Sequence, residues 1–178
     1  IAFDRRIRRG RILDRAGRVL AETTTKDDEE GGEVPTRRYP IPSAAPVVGY
    51  QTWRYGAGAS GDVTYGAGGA EAAYDIALRG DLGMSPWQLA ASRVLHRPQT
   101  GLDVVLALDA DLQAYAAGLL GDREGAVVVV DVADGAVRAL VSQPTFDPAA
   151  LDAGELPGGD DAPMLVRATQ GRYPPGST

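Results

Sequence analysis

The chain ends Tyr173-Pro174-Pro175-Gly176-Ser177-Thr178, which sets a serine behind a rigid Pro-Pro-Gly lead-in, where a helix can begin. At a helix N-terminus the first backbone N–H groups have no intrahelical acceptor and point at whatever binds there. Ser177 could thus present such N–H groups to a bound group, but on this hexapeptide alone it reads first as a simple capping serine. Other residue types capable of chemistry offer less. His96 is the single histidine and cysteine is absent, which argues against a Ser-His-Asp triad or a His-based metal site and excludes thiolate zinc, a cysteine nucleophile and disulfides. His96, beside Arg97 and Pro98, reads as a surface residue near a helix end.

The remaining constellations each have a plainer explanation. The pairs Asp131/Asp134 and Asp160/Asp161 suggest acid–base work on a sugar, but the first falls in a hairpin turn and the second in a Gly-rich loop. Gly66-Ala67-Gly68-Gly69 resembles a phosphate loop, yet no strand is predicted before it, no Gly-Lys-Ser/Thr follows, and Glu71 stands where a third glycine would fall. Asp27-Asp28-Glu29-Glu30 lacks the alternating oxygen ligands of a calcium loop and reads as solvated. No cofactor and no metal are expected.

The 178 residues carry 18 Lys+Arg against 24 Asp+Glu, a net charge of −6. That balance leaves no basic surplus for phosphates and argues against nucleic acid as a partner. The length holds one domain or two small ones. No apolar run approaches the ~20 residues that span a bilayer. The chain opens Ile1-Ala2-Phe3-Asp4 without Met and stops at Thr178 in mid-motif; it reads as a fragment.

The elements that must position Ser177 follow from pattern. Ile12–Asp14 and Arg18–Ala21 are predicted as two strands around a turn in which Gly17 supplies positive φ. Glu22 to Thr36 is polar and predicts a mobile loop, with the highest mobility over Thr25–Val34. Arg38 to Tyr50 reads as extended and Pro-punctuated, and Gly56 to Gly69 as a glycine-rich connector. Glu71–Leu78 predicts a short helix stopped by Gly80. Ser85-Pro86-Trp87-Gln88 is a capping box with proline in the first turn, opening a helix that ends before Pro98. Gly101–Leu108 reads as a strand. Asp109 caps a helix with apolar residues Leu112, Tyr115, Ala116, Leu119 and Leu120 at helical spacing. Gly125–Asp131 and Ala136–Ser142 form a hairpin through Asp134-Gly135, and its valine run predicts burial on both faces.

Taken in order, these segments resemble a class B penicillin-binding protein. Arg9-Gly10-Arg11-Ile12-Leu13-Asp14-Arg15-Ala16-Gly17-Arg18-Val19-Leu20-Ala21 is similar to that family's first N-terminal motif. Arg38-Tyr39-Pro40, Val47-Val48-Gly49-Tyr50 and the run Gly69 to Gly80 resemble the later motifs of the same non-catalytic module. Leu108-Asp109, Leu112-Gln113 and Gly125-Ala126-Val127-Val128 look like the opening of the transpeptidase domain. Ser142-Gln143-Pro144-Thr145-Phe146-Asp147-Pro148, Arg167-Ala168 and the terminal hexapeptide are similar to the approach to its nucleophile. The family commonly has Asn before the Arg-Ala pair, where this chain has Val166.

The resemblance implies an α+β fold: an elongated, irregular pedestal or dimerisation-type module over 1–100, then the N-terminal part of a transpeptidase domain over 101–178, a helix packed on an antiparallel hairpin. It implies a parent D,D-transpeptidase that crosslinks peptidoglycan through an acyl-enzyme on Ser177. D-Ala-D-Ala stem peptides and β-lactams would be its ligands, a membrane glycosyltransferase a partner, and the outer face of the cell membrane its location, anchored upstream of residue 1. The Ser-x-x-Lys motif starts at Ser177 and puts its activating lysine two residues past Thr178, so the chain alone is expected to be inactive. The alternative is a non-catalytic pedestal that docks cell-wall synthesis partners. Arg9, Gly10, Asp14, Arg15 and Gly17 are expected to hold the two modules together.

Overall fold

The structure, a computed structural model, describes residues 7–27, 33–54, 63–95, 99–152, 157 and 161–172. Ser177, His96 and Asp160 lie outside them. In chain order come β1 (Ile7–Arg8), β2 (Ile12–Leu13), β3 (Val19–Asp27) and β4 (Glu33–Arg38), then α1 (Ala45–Val48), β5 (Tyr50–Arg54) and β6 (Val63–Ala67). Three helices follow, α2 (Gly69–Ala73), α3 (Asp75–Leu78) and α4 (Pro86–Val94), and then β7 (Gln99–Thr100) and β8 (Val104–Val105). The last part holds α5 (Ala110–Leu120), β9 (Gly125–Val130), β10 (Val137–Gln143), α6 (Pro148–Asp152) and α7 (Arg167–Gln170). The fold is mixed α+β, as expected.

The first motif makes the turn its sequence predicts. Gly17 sits at φ +85°, and β2 pairs antiparallel with β3. On its other edge β2 pairs in parallel with β8, Ile12 opposite Val104. The N-terminal hairpin is thus stitched to a segment ninety residues on. Ile12, Leu20, Ala21, Ala44, Val48, Ala70 and Leu78 share one core with Leu108 and Ala110, and each large member contributes about 2 kcal/mol by leaving water.

Several expectations are corrected. The polar stretch predicted as a mobile loop is a hairpin over its described residues, in register from Glu22 opposite Arg38 to Asp27 opposite Glu33. Thr23, Thr24 and Thr25 favour the pleated backbone, and Thr24 Oγ1 donates to the Thr36 carbonyl at 3.3 Å; residues 28–32 lie outside the description. The segment read as extended holds a 3₁₀ turn at Pro42–Ala44 running into α1. Pro42 and Pro46 sit in first turns, where a missing N–H costs nothing. The glycine-rich connector contributes a strand, β6, which pairs with β5. A strand therefore does precede Gly68 and Gly69, but a Cβ on Gly69 would stand 2.3 Å from the Val47 carbonyl oxygen; these glycines let two short helices approach. The single helix over Glu71–Leu78 is two, parted at Tyr74.

Gly80, at φ +79°, ends α3 as predicted, and the glutamine side of the capping box forms: the Ser85 N–H and Oγ both donate to Gln88 Oε1, at 2.8 and 2.9 Å. The strand read over Gly101–Leu108 shrinks to Val104–Val105. In α5 the predicted face holds in part: Ala116 is buried and Leu112 and Leu120 are half-buried, but Tyr115 and Leu119 are 66% and 60% exposed, and the polar Gln113 is buried instead. The β9–β10 hairpin is present, Leu140 opposite Val128, but its burial alternates, with Val128 and Val130 about half exposed.

Candidate functional site

The first motif is a clamp. Asp14 is 2% exposed. Its Oδ1 accepts the Ala16 and Arg18 N–H groups at 2.8 Å, closing the turn. Its Oδ2 accepts the Ala110 N–H at 3.2 Å, at the first residue of α5. Burial opposes ionisation of this carboxyl, but the three backbone N–H groups of Arg18, Ala110 and Ala16 outweigh it and hold its pKa below the ordinary carboxylate value. The Arg15 N–H adds a bond to the Leu108 carbonyl at 2.9 Å. Outside, Arg11 pairs with Asp103, Arg15 with Asp109 and Arg18 with Asp111. Arg11 holds the Asp103 carboxyl below its usual range, mainly by hydrogen bonding. Each of these exposed pairs adds little by itself in water; together they fix one orientation.

Beneath the clamp sits a buried ionic node. Glu71, with no exposed surface, accepts from Arg9 Nε at 2.7 Å and from Arg37 Nε at 2.8 Å. Arg37 Nη1 reaches the Gly10 carbonyl at 2.8 Å, and Arg9 Nη1 lies 2.7 Å from Asp75. Two arginines distant in sequence from Glu71 and from each other converge on its carboxylate. Nothing in the local sequence marks Glu71 as buried, since its neighbours are alanines and its partners lie 34 and 62 residues away.

Gln113 is the second residue that pattern reading passed over. It is fully buried; its Nε2 donates to the Leu140 carbonyl at 2.8 Å and to the Ser43 carbonyl at 2.6 Å. Its Oε1 accepts the Leu140 N–H at 2.8 Å. Both main-chain groups of Leu140 are closed by one side-chain amide in place of a third strand. The Asp109 N–H donates to the Arg138 carbonyl at 2.8 Å, covering the next exposed position of that edge. Asp109 also caps α5, accepting the Leu112 N–H at 3.2 Å.

The segment that leads to Ser177 is latched to β10. Ser142 Oγ donates to the Leu165 carbonyl at 2.9 Å and accepts the Arg167 N–H at 3.0 Å. Arg167, itself buried, turns its guanidinium back onto the carbonyls of Asp161 at 2.6 Å and Ala162 at 3.3 Å. The Asp131/Asp134 pair does what a hairpin turn requires: the two accept the Ala133 and Ala136 N–H groups and both pair with Arg138.

The relatives fit this framework. Residues 125–178 match the penicillin binding protein transpeptidase domain. The peptidoglycan D,D-transpeptidase MrdA of Escherichia coli K12 is 38% identical over 123 residues, 62% of this chain and 19% of that protein. The peptidoglycan D,D-transpeptidase PbpA of Mycolicibacterium smegmatis is 32% identical over 96% of this chain and 35% of its own length. The chain thus spans about a third of that relative, or less than a third for MrdA. Among solved structures, penicillin-binding protein A of M. tuberculosis, in its imipenem acyl-enzyme complex, superposes with TM-score 0.71 at 26% identity over 98% of this chain and 40% of that one. Pseudomonas aeruginosa PBP2 in complex with WCK 5153 gives TM-score 0.71 at 30% identity, over 97% of this chain and 37% of its own. Likeness in sequence and fold along nearly the whole length leads to one conclusion: the chain belongs to the class B penicillin-binding proteins.

Proposed function

We propose that the chain is the framework and nucleophile-bearing part of a peptidoglycan D,D-transpeptidase. Residues 1–100 form its elongated pedestal, and 101–178 open its catalytic domain. Ser177 Oγ attacks the carbonyl of the penultimate D-Ala of a stem peptide. The C–N bond to the terminal D-Ala breaks, the serine proton goes to the leaving amine, and an acyl ester remains on Ser177. An amine of a neighbouring strand then attacks that ester, forming the crosslink and restoring the hydroxyl. A serine hydroxyl near neutral pH needs a base to do this, which the Ser-x-x-Lys pattern would supply as a lysine at the third residue after Ser177. β-Lactams would acylate the same oxygen. The observation that carries the reading is the Ser142 latch, which seats the Leu165–Gln170 segment on β10 ten residues before Ser177.

The test compares residues 1–178 alone with a protein in which this chain is continued through a Ser-x-x-Lys lysine and the rest of a transpeptidase domain, each incubated with fluorescent penicillin. The longer protein is expected to label stoichiometrically and 1–178 not at all. No labelling of the longer protein would reject the reading.

A second role is favoured by α4. Trp87 and Val94, at 70% and 75% exposure, leave an apolar stripe on a helix with a single charged residue, Arg93. On this reading the pedestal docks a cell-wall synthesis partner such as a membrane glycosyltransferase, outside the cytoplasmic membrane. Loss of partner capture in Trp87→Ser/Val94→Ser with penicillin labelling intact would support it; unchanged capture would oppose it.

A further inference from the structure

The helix α7 begins without a cap of its own. Its N-cap residue is Val166, whose side chain makes no capping bond. An α-helix start leaves its first N–H groups without acceptors, and here the Arg167 N–H is answered from β10 by Ser142 Oγ at 3.0 Å. The same oxygen donates its proton to the Leu165 carbonyl at 2.9 Å. A hydroxyl has one proton and one rotor; donating on one side of Val166 and accepting on the other, it fixes both flanks at once. Ser142 is 2% exposed, so water does not compete for either bond. The rest of the segment closes on itself: Gln170 Oε1 accepts the Val166 N–H at 2.9 Å, and the Arg167 guanidinium holds the carbonyls of Asp161 and Ala162. Among the described residues, the Ser142 hydroxyl is the polar tie from this closed unit to the sheet.

We propose that Ser142 is a positioning residue for acyl transfer at Ser177, acting through Leu165 and Arg167. The inference rests on the reading of Ser177 as nucleophile. It assigns to a buried strand serine the placement of the nucleophile-bearing segment relative to β10. Acyl transfer is sensitive to such placement, because a shift of about 1 Å at the reacting atoms costs about a hundredfold in rate.

The experiment uses the gene product carrying this chain, with benzylpenicillin as probe. The saturating acylation rate constant and the half-saturating concentration are measured separately by stopped mixing and intact mass. Ser142→Ala is expected to lower the rate constant about tenfold to a hundredfold while the half-saturating concentration changes less than about threefold. Ser142→Thr, which keeps the hydroxyl, is expected to recover most of the rate. Rates are taken per folded molecule, with the melting temperature of each variant recorded. A Ser142→Ala rate within twofold of the unaltered protein overturns the inference, as does a Ser142→Thr rate as low as that of Ser142→Ala. Ser177→Ala separates the two levels. Acylation persisting there rejects the nucleophile reading itself, whereas abolished acylation with an unaffected Ser142→Ala rejects only the positioning role.

Discussion

The carboxylate of Asp14 caps the backbone N–H of Ala110 at 3.2 Å, across 96 residues of sequence. One side chain closes its own turn and starts the helix that carries Gln113. Its lowered pKa makes this a pH-dependent contribution. A carboxylate whose folded pKa lies below its unfolded value stabilises fully above the unfolded value, about 4, and loses that stabilisation as pH falls through the folded one. At pH 7, Asp14→Asn is expected to cost about 1.5–3 kcal/mol, the scale of hydrogen bonds to a charged group. Below about pH 4 the difference should shrink. Urea melts of both proteins from pH 7 to pH 3 check this; a constant difference across the range would contradict it.

Removing the charge at Glu71 leaves Arg37 buried with neutral acceptors in place of its carboxylate. Glu71→Gln is expected to destabilise by about 3–5 kcal/mol, the usual effect of breaking a buried pair from one side. Thermal unfolding followed by circular dichroism measures it, and a loss below about 1 kcal/mol would place the strength of the node elsewhere.

Gln113→Leu keeps approximate volume but strips three hydrogen bonds from the Leu140 and Ser43 main chain. The expected cost is about 2–4 kcal/mol, because the half-buried Leu140 N–H and carbonyl lose their partners. Hydrogen exchange gives a local readout: the Leu140 amide should lose protection first.

Two glycines separate steric demand from backbone strain. A Cβ at Gly101 would stand 1.7 Å from the Leu78 carbonyl oxygen, whereas at Gly135, at φ +71°, it meets open space. Gly101→Ala is expected to cost about 3 kcal/mol or more through forced backbone movement, and Gly135→Ala about 1 kcal/mol from the left-handed conformation. Equal effects in denaturant melts would contradict the close approach of the Gly101 backbone to Leu78 and Gly10.

What could be read in the sequence was local chemistry with a local partner. The Gly17 turn, the Ser85/Gln88 box, the Asp109 cap and the β9–β10 hairpin all depend on residues within a few positions of one another, and all are present. The failures share a cause. Thr23–Thr25 lie in a hairpin because of the ladder to Pro35–Arg37, and Tyr115 and Leu119 face outward because Gln113 takes the inner face to serve Leu140. Glu71 and Ser142 were visible only as letters in motifs, since their partners lie tens of residues away and no periodicity marks a buried polar contact. Of the residues that family resemblance expects to hold the two parts together, Asp14 and Arg15 bond to Ala110 and Leu108, whereas Arg9 and Gly10 bond within residues 1–100, to Glu71, Asp75, Arg37 and Leu78. Ser177 itself was legible as a serine behind Pro-Pro-Gly, a reading that spacing alone left open.

The most direct measurement maps the site of acylation. The gene product carrying this chain is incubated with benzylpenicillin, digested, and its peptides sequenced by tandem mass spectrometry, beside Ser177→Ala treated identically. The account predicts one penicilloyl adduct per molecule, on Ser177, and none on the variant. An adduct on any other residue, or an acylated Ser177→Ala, would contradict it.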